Sequence, residues 1–326
     1  MSVDELERVS RSQVQKKEMF AGKRSVVSVG VFSFTTFLVL VPFISSSWLG
    51  EIAGSFRLYY FFPLVALATC FLVKRNWLLM SLVVITSAIN VMPLLYLFQR
   101  EVQVGKGETL KVVQVNVEYC NQNRTKLVQW LKQVDPDVIA VEELSLTWDV
   151  ALREEFPGYD AFTVPQDSYY GIGLFSKRKL MNGKSFIPPA VKPIEPAIFA
   201  KIPCKNGSLN LAAVHVFAPH RPDDWRRRNM QMNAIAEAIG ANTSSTILLA
   251  DLNSVPWSNE MMKFRKITNL RDSRLGFGIK NTCLVKHLLW VPIDHCLVSP
   301  GIRVQKMTIG PSFGSDHLPM LLELKL

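Results

Sequence analysis

A set of polar residues stands where apolar, strand-like runs of this chain begin or end. Asn116 follows LKVVQV and Glu143 follows DVIAVE. His215 lies within NLAAVHV, and Asp251 and Asn253 come directly after TILLA. Asp294 heads IDHCLVS, and Asp316 and His317 lie in GSDHLP, just before the last such run. A carboxylate at the end of a buried strand is costly unless it is paired or bound to a cation. Several such ends converging make one acidic pocket, which a hard, oxygen-seeking ion such as Mg²⁺ requires.

The elements that must position these groups can be read from periodicity and turn residues. Strands are expected at 110–117, 138–141, 171–176, 197–202, 209–217, 246–249, 293–298, 303–309 and 318–324. Helices are expected at 124–134, stopped by Asp135-Pro136, at 147–156, ended by Pro157-Gly158, and at 222–239. Several strands follow one another without helices between them, which predicts a mixed-sheet α/β sandwich and not a doubly wound parallel sheet.

The strings VVQVNVEYCN, DVIAVEEL, GIGLFS, AVHVFAP, LLADLNSVPWS, IDHCLVS and GSDHLP resemble, in their order and spacing, the endonuclease/exonuclease/phosphatase superfamily. That group includes deoxyribonuclease-like enzymes, abasic-site endonucleases, inositol phosphatases and bacterial sphingomyelinases. The resemblance covers nearly all of residues 109–326 and implies a four-layer α/β/β/α sandwich of two mixed sheets. With an apolar segment in front, the chain looks like the bacterial membrane-anchored branch.

Site roles follow from the resemblance, residue by residue. Glu143 matches the metal-binding Glu, and Asn116 the Asn that supports the metal and its waters. Asp251 matches the Asp that polarises the attacking water, and Asn253 the Asn that orients the scissile phosphate. His317 matches the His on the phosphate, and Asp316 its neighbour, which orients that His or joins the metal site. His215 matches a second His that holds phosphate or protonates the leaving group, and Asp294 a His-orienting place. The implied cofactor is Mg²⁺, with Mn²⁺ as the alternative. Three positions depart from the pattern: Ala250 stands for Gly, Leu252 for Phe, and Glu142 for Gln. Strand alternation should turn Glu142 away from the metal position.

Plainer readings stand beside these. Asp251-Leu252-Asn253 is also what a turn after a strand looks like. Glu143 could cap the following helix, and His215 and His317 could be satisfied structural residues. Arg226, Arg227 and Arg228 read equally as a guide for phosphate or as a solvated helix face. Tyr169, Tyr170 and Trp257 suit stacking on a base or lipid headgroup, but also ordinary packing. His220 and His287 read as structural.

Residues 25–100 are almost uniformly apolar and predict three membrane helices, at 26–46, 56–73 and 77–98. Trp48, Tyr59, Tyr60, Trp77 and Tyr96 sit near their ends, as at a membrane interface. The organisation expected is an N-terminal cytoplasmic segment over 1–24, the membrane region over 25–100, a linker over 101–108 and a catalytic domain over 109–326. Arg8, Arg11, Lys16, Lys17, Lys23 and Arg24 before the first helix, with Lys74 and Arg75, favour a cytoplasmic N-terminus and, with three passes, an extracytoplasmic catalytic domain; if the short second run does not span, two passes return the domain to the cytoplasm. The apolar helices lack internal charges, which argues against a transporter.

The net charge of +10 suits an anionic partner, whether lipid surface, phosphate ester or nucleic acid. The five cysteines include no C-x-x-C pair, so a zinc site of that kind is not expected. One or two disulfides or free buried thiols both fit. The expectation is a membrane-anchored hydrolase of phosphoesters acting on a lipid headgroup or on extracellular nucleic acid. Its other partner is membrane lipid, and no protein partner is expected. The alternative is a tethered binding protein that has lost catalysis, although Asn116, Glu143, Asp251, Asn253 and His317 are all present.

Overall fold

The computed structural model describes residues 28–38, 40, 46–99, 107–188, 196–205, 207–240, 245–286 and 288–326. The chain divides into two compact units, Met1–Pro93 and Leu94–Leu326.

The first unit is helical: α1 (Ser28–Leu38), α2 (Trp48–Ser55), α3 (Arg57–Val73) and α4 (Trp77–Leu95), whose last residues belong to the second unit. Val31, Leu38, Leu64, Phe71 and Val83 pack together and join α1, α3 and α4. Other apolar side chains face outward, including Phe62, Val73, Leu78 and Met92, which are 66–81% exposed. Helices with apolar outer faces suit a lipid surround. Among the described residues one helix, Trp77–Phe98 including a final 3₁₀ turn, is long and apolar enough to cross a membrane. The pair α2 and α3, bent by 67° at their junction, passes the same test as one unit. The helix expected at 26–46 is described only in part, as the shorter α1.

The second unit is a sandwich of two six-stranded mixed sheets. The strands are β1 (Thr109–Asn116), β2 (Val138–Glu142), β3 (Asp160–Val164), β4 (Ile172–Ser176), β5 (Met181–Phe186), β6 (Ala197–Cys204) and β7 (Gly207–His215). They continue as β8 (Thr246–Asp251), β9 (Arg271–Asp272), β10 (Cys283–Val285), β11 (Leu289–Val291), β12 (Asp294–Val298), β13 (Arg303–Ile309) and β14 (Met320–Lys325). The helices are α5 (Arg124–Val134), α6 (Leu146–Glu155), α7 (Pro222–Ile239) and α8 (Asn259–Thr268). The first sheet runs β13-β14-β1-β2-β4-β3 and the second β5-β6-β7-β8-β12-β9, while β10 and β11 form a separate hairpin. Each large sheet holds one parallel pair, β1 with β2 and β7 with β8, and the other pairings are antiparallel. The helices α5 and α7 make the crossovers those parallel pairs need.

Three apolar layers hold the sandwich together. Leu110, Val112, Val138 and Ala140 meet Leu209, Leu211, Ile247 and Leu249 between the sheets. On the outer face of the first sheet, Val113, Val115, Ile139 and Val141 pack on Leu127 and Leu131 of α5 and Trp148 of α6. On the outer face of the second, Val214, Leu248 and Ala250 pack on Met232 and Ile235 of α7 and Phe264 of α8. This is the four-layer α/β/β/α arrangement expected. Ala250 and Leu252 both lie buried in the third of these layers, as packing changes would.

Candidate metal and phosphate site

Strand alternation builds the site. The inward series of β1 reads Leu110, Val112, Gln114, Asn116, and that of β2 reads Val138, Ala140, Glu142. The inward series of β7 ends on His215, that of β8 on Asp251, and that of β12 begins on Asp294. Each series is apolar deep between the sheets and polar at one end. Register brings the polar ends together: His215 is paired with Asp251, Asp251 with Asp294, and Asn116 with Glu142.

Asp251 Oδ2 is the hub. It accepts a hydrogen bond from Asn116 Nδ2 at 3.1 Å, and lies 3.7 Å from both His215 Nε2 and His317 Nε2. Asp251 Oδ1 accepts from the Asn253 main-chain N–H at 2.9 Å. Asn116 Nδ2 also donates to Glu143 Oε1 at 3.1 Å, so one amide joins two carboxylates. His317 Nδ1 pairs with Asp294 Oδ2 at 2.9 Å. Asn253 Nδ2 donates to Val216 O at 2.9 Å and lies 3.5 Å from His215 Nε2.

Two site residues leave ordinary backbone geometry. Glu143 (φ +55°) and Asn253 (φ +46°) occupy the left-handed region, which Asn tolerates better than most side chains do. At Glu143 the turn breaks the β2 alternation and sends the carboxylate to Asn116 and to the Tyr119 main-chain N–H. Gly171 allows this turn, since a Cβ there would meet Leu144 O at 2.0 Å. Ser145, not Glu143, caps α6 by accepting from Trp148 N.

Burial and charge set the protonation states. Burial pushes Glu143 up. Burial and the neighbouring Asp294 push Asp251 up to about 7. Burial opposes charge on Asp294 too, but the charge and hydrogen bond of His317 outweigh it and hold Asp294 low. Burial likewise opposes charge on His317, which Asp294 and Asp251 nonetheless hold well above the usual imidazole range. Asp294 and His317 therefore form an ion pair, while Asp251 keeps a proton to near neutrality. Burial lowers His215.

Glu142 was expected to turn away from the metal position. It does leave the Glu143 side, but its fully buried carboxylate enters the layer between the sheets. There Gln114 Nε2 donates both to Glu142 Oε2 (3.1 Å) and to Asp294 Oδ1 (2.7 Å). Burial, then Asp294 and Asp251, push Glu142 well above the carboxylate range.

Asp316 sits on the solvent side of His317, 4.0 Å from its Nε2 and 46% exposed. Among the described residues, two groups bring three potential ligand atoms within 4.8 Å of one another: Asp251, Asp294 and His317, and Cys283, Asp316 and His317. Glu143 and Asn116 adjoin the first group through the amide of Asn116. The donor set of Glu143, Asp251 and Asn116 is all oxygen apart from one amide nitrogen. A cation among these carboxylates would relieve the charge that burial leaves costly, so the residues fit a hard divalent ion.

Sequence reasoning missed the braces. Buried Arg228 donates to Asn253 O at 2.9 Å and so braces the site from within, while Arg226 and Arg227 pair with Asp223 and Asp224. Buried Arg274 bonds the Asp294 main-chain oxygen and lies 3.2 Å from His295 Nδ1. His295 Nε2 lies 2.7 Å from Ser254 O. Burial and Arg274 lower His295 to about 3, so it is neutral and donates there. Gln114 had a signal, since it shares the inward face of β1 with Asn116. Trp257 is buried, as packing requires, while Tyr169 is 56% exposed with its ring 4.8 Å from that of Tyr119. All five cysteines are free thiols, and His287 lies outside the described residues.

Residues 113–317 match the Endonuclease/Exonuclease/phosphatase family, and the chain belongs to it. The fold is shared with solved structures of low identity. Zebrafish (D. rerio) TDP2 complexed with a single-strand DNA product is 16% identical with a TM-score of 0.58, covering 67% of this chain and 100% of its own. The human Nocturnin catalytic domain with bound sulfate is 20% identical with a TM-score of 0.56, covering 68% and 96%. A mannosyl-6-phosphatase from Bacteroides thetaiotaomicron is 18% identical with a TM-score of 0.54, covering 67% and 100%. No curated protein matches the chain by sequence.

Proposed function

We propose that this chain is a membrane-anchored, divalent-metal-dependent hydrolase of phosphoesters. The observation that carries the reading is the convergence on one oxygen: Asp251 Oδ2 meets Asn116 Nδ2 at 3.1 Å and the Nε2 atoms of His215 and His317 at 3.7 Å. Family membership supports the reaction class.

Glu143 would hold the cation, with Asn116 bridging it to Asp251 and Asp316 available at the rim. Mg²⁺ suits the oxygen donors best and Mn²⁺ next. When bound, the ion neutralises phosphate oxygens and the leaving oxyanion. Asp251 takes the proton of the attacking water. His317, kept charged by Asp294, donates to a non-bridging phosphate oxygen. Asn253, fixed by Val216 O and Arg228, orients the phosphate, and His215 serves the phosphate or the leaving group. Acid–base help of this kind contributes typically about 10²–10⁴-fold.

The membrane reading rests on the span-length helix Trp77–Phe98 and the outward apolar faces of α3 and α4. With the expected three passes, the Lys and Arg distribution sends the catalytic domain to the extracytoplasmic side. A domain held there meets lipid headgroups and extracellular nucleic acid. Among the similar structures one holds a DNA product and one is a sugar phosphatase, so nucleic acid and phosphomonoesters belong in the test as well.

The experiment is hydrolysis by the full-length protein in detergent micelles, with Mg²⁺ or EDTA. The panel is a set of phospholipids, an aryl phosphodiester, a sugar phosphate and plasmid DNA. Mg²⁺-dependent turnover of one class, reduced at least about 10²-fold in Asp251→Ala and His317→Ala, supports the reading. A folded protein that binds Mg²⁺ and cleaves nothing favours the silent binding protein. A protein that binds no divalent ion removes the catalytic case.

A further inference from the structure

Beside His317 lies a thiol that the proposed reaction does not use. Cys283 opens β10 and is bridged in antiparallel fashion to His317. The flanking main-chain bonds, Leu284 N to Asp316 O at 2.8 Å and Leu318 N to Thr282 O at 2.7 Å, fix the two segments against each other. The sulfur of Cys283, a ring nitrogen of His317 and a carboxylate oxygen of Asp316 lie within 4.8 Å of one another. Because Nδ1 of His317 is committed to Asp294 Oδ2 at 2.9 Å, Nε2 is the nitrogen left to ligate a metal once it gives up its proton. A carboxylate on one imidazole nitrogen, with the other nitrogen facing out, is the orientation that metal-bound histidines adopt.

We propose that Cys283, His317 and Asp316 form an inhibitory site for a borderline-soft divalent cation of the Zn²⁺ class. The donor set decides the metal. A sulfur, an imidazole nitrogen and one carboxylate oxygen suit tetrahedral Zn²⁺, whereas Mg²⁺ takes oxygen ligands. Asp316 is 46% exposed, which gives the ion a way in from solvent. Binding replaces two protons by the metal, the thiol proton of Cys283 and the Nε2 proton of the charged His317, and releases both to solvent. The ion then occupies Nε2, the atom that faces Asp251 Oδ2 at 3.7 Å. His317 can no longer donate to phosphate, while Glu143 and Asn116 keep their own ion. The inhibition rests on the hydrolase reading above, but the binding does not.

The test uses full-length protein in micelles with Mg²⁺ held constant, comparing wild type, Cys283→Ser and, as a thiol control, Cys120→Ser. Co²⁺ is added first and Zn²⁺ second. Wild type and Cys120→Ser should show near-ultraviolet thiolate-to-cobalt absorption that Zn²⁺ removes, and Cys283→Ser should lack it. Cys283→Ser should retain Mg²⁺-supported hydrolysis and need at least about tenfold more Zn²⁺ for half inhibition. No cobalt–sulfur absorption in wild type, or its persistence in Cys283→Ser, overturns the site. Absorption lost in Cys283→Ser with equal Zn²⁺ sensitivity of the two proteins overturns its inhibitory role. If no substrate is turned over, the hydrolase reading fails, while the cobalt spectra still decide whether the site exists.

Discussion

Nδ1 of His317 lies 2.9 Å from Asp294 Oδ2, and both groups are buried at the polar end of the layer between the sheets. Burial alone would discharge this histidine, but Asp294 and Asp251 hold its pKa well above the usual range. The proposed role needs the charged form, which is present below that pKa and lost as pH rises through it. Asp294→Asn keeps a hydrogen-bond acceptor and removes a charge. The pKa of His317 should fall, and the alkaline limb of the kcat/KM profile should move to lower pH. At neutral pH the rate should drop about 10²-fold or more. A variant with an unmoved alkaline limb would show that His317 does not act as a charged donor.

Asp251 makes the opposite argument. Burial and Asp294 raise it to about 7, so without a cation it is partly protonated at neutral pH. A cation bound beside it competes with that proton. Mg²⁺ binding should therefore release protons, and affinity should tighten as pH rises from about 6 to about 8. Calorimetry in buffers of different ionisation enthalpy measures the release directly, and EDTA should reverse it. Binding without proton release across this range would separate the ion from Asp251.

Glu142 bears on stability. Its pKa is raised by burial and by the Asp294 and Asp251 carboxylates. The unfolded chain therefore gives up this proton first as pH increases from about 4.3, and stability declines from there until the folded pKa is passed. Glu142→Gln can still accept from Gln114 Nε2 and has no proton to lose. Its melting temperature should gain on wild type as pH rises, with the difference larger at about pH 8 than at about pH 5. Thermal melts in EDTA, which keep any cation out, test this. A gain independent of pH would place Glu142 outside the titration.

Much of this arrangement was legible because it depends on period and turn residues. The helix read at 124–134 is Arg124–Val134 in the structure, and that read at 222–239 is Pro222–Ile239. Strand ends marked by Asn116, Asp251 and Asp294 converge because alternation and register leave them no other place. What escaped was less periodic. The strand Met181–Phe186 mixes polar residues and a glycine between its apolar ends and has an irregular register with its partner, and Cys283–Val285 is only a short hairpin arm. Helix α8 was hidden by its polar sequence, although Ser258 caps it by accepting from Met261 N at 3.0 Å. Arg228 and Arg274 could not be read as braces, since a local charge pattern does not reveal a carbonyl far along the chain.

The second compact unit begins at Leu94, and the structure shows what holds its first residues in place. Tyr96 donates to Pro256 O at 3.0 Å and accepts from Arg265 Nη1 at 2.7 Å, with the guanidinium 4.8 Å from its ring centre. Pro256 lies on the loop that carries Asn253. Leu97 is fully buried, and its carbonyl accepts from Gly276 N and Gly278 N at 2.9 and 3.1 Å. Phe98 covers Gly278, where a Cβ would meet the ring at 2.8 Å. A fragment beginning at residue 94 should therefore fold more stably than one beginning at 107. Losing the buried Leu97 side chain alone removes about 1.5–3 kcal/mol. In a domain of this size that lowers the melting temperature by at least about 3 °C. In the full-length protein, Tyr96→Phe leaves the Pro256 carbonyl without its donor and should cost about 1–2 kcal/mol. Paired melts of the two fragments decide the point: equal melting temperatures would mean that residues 94–98 lie against the domain without stabilising it.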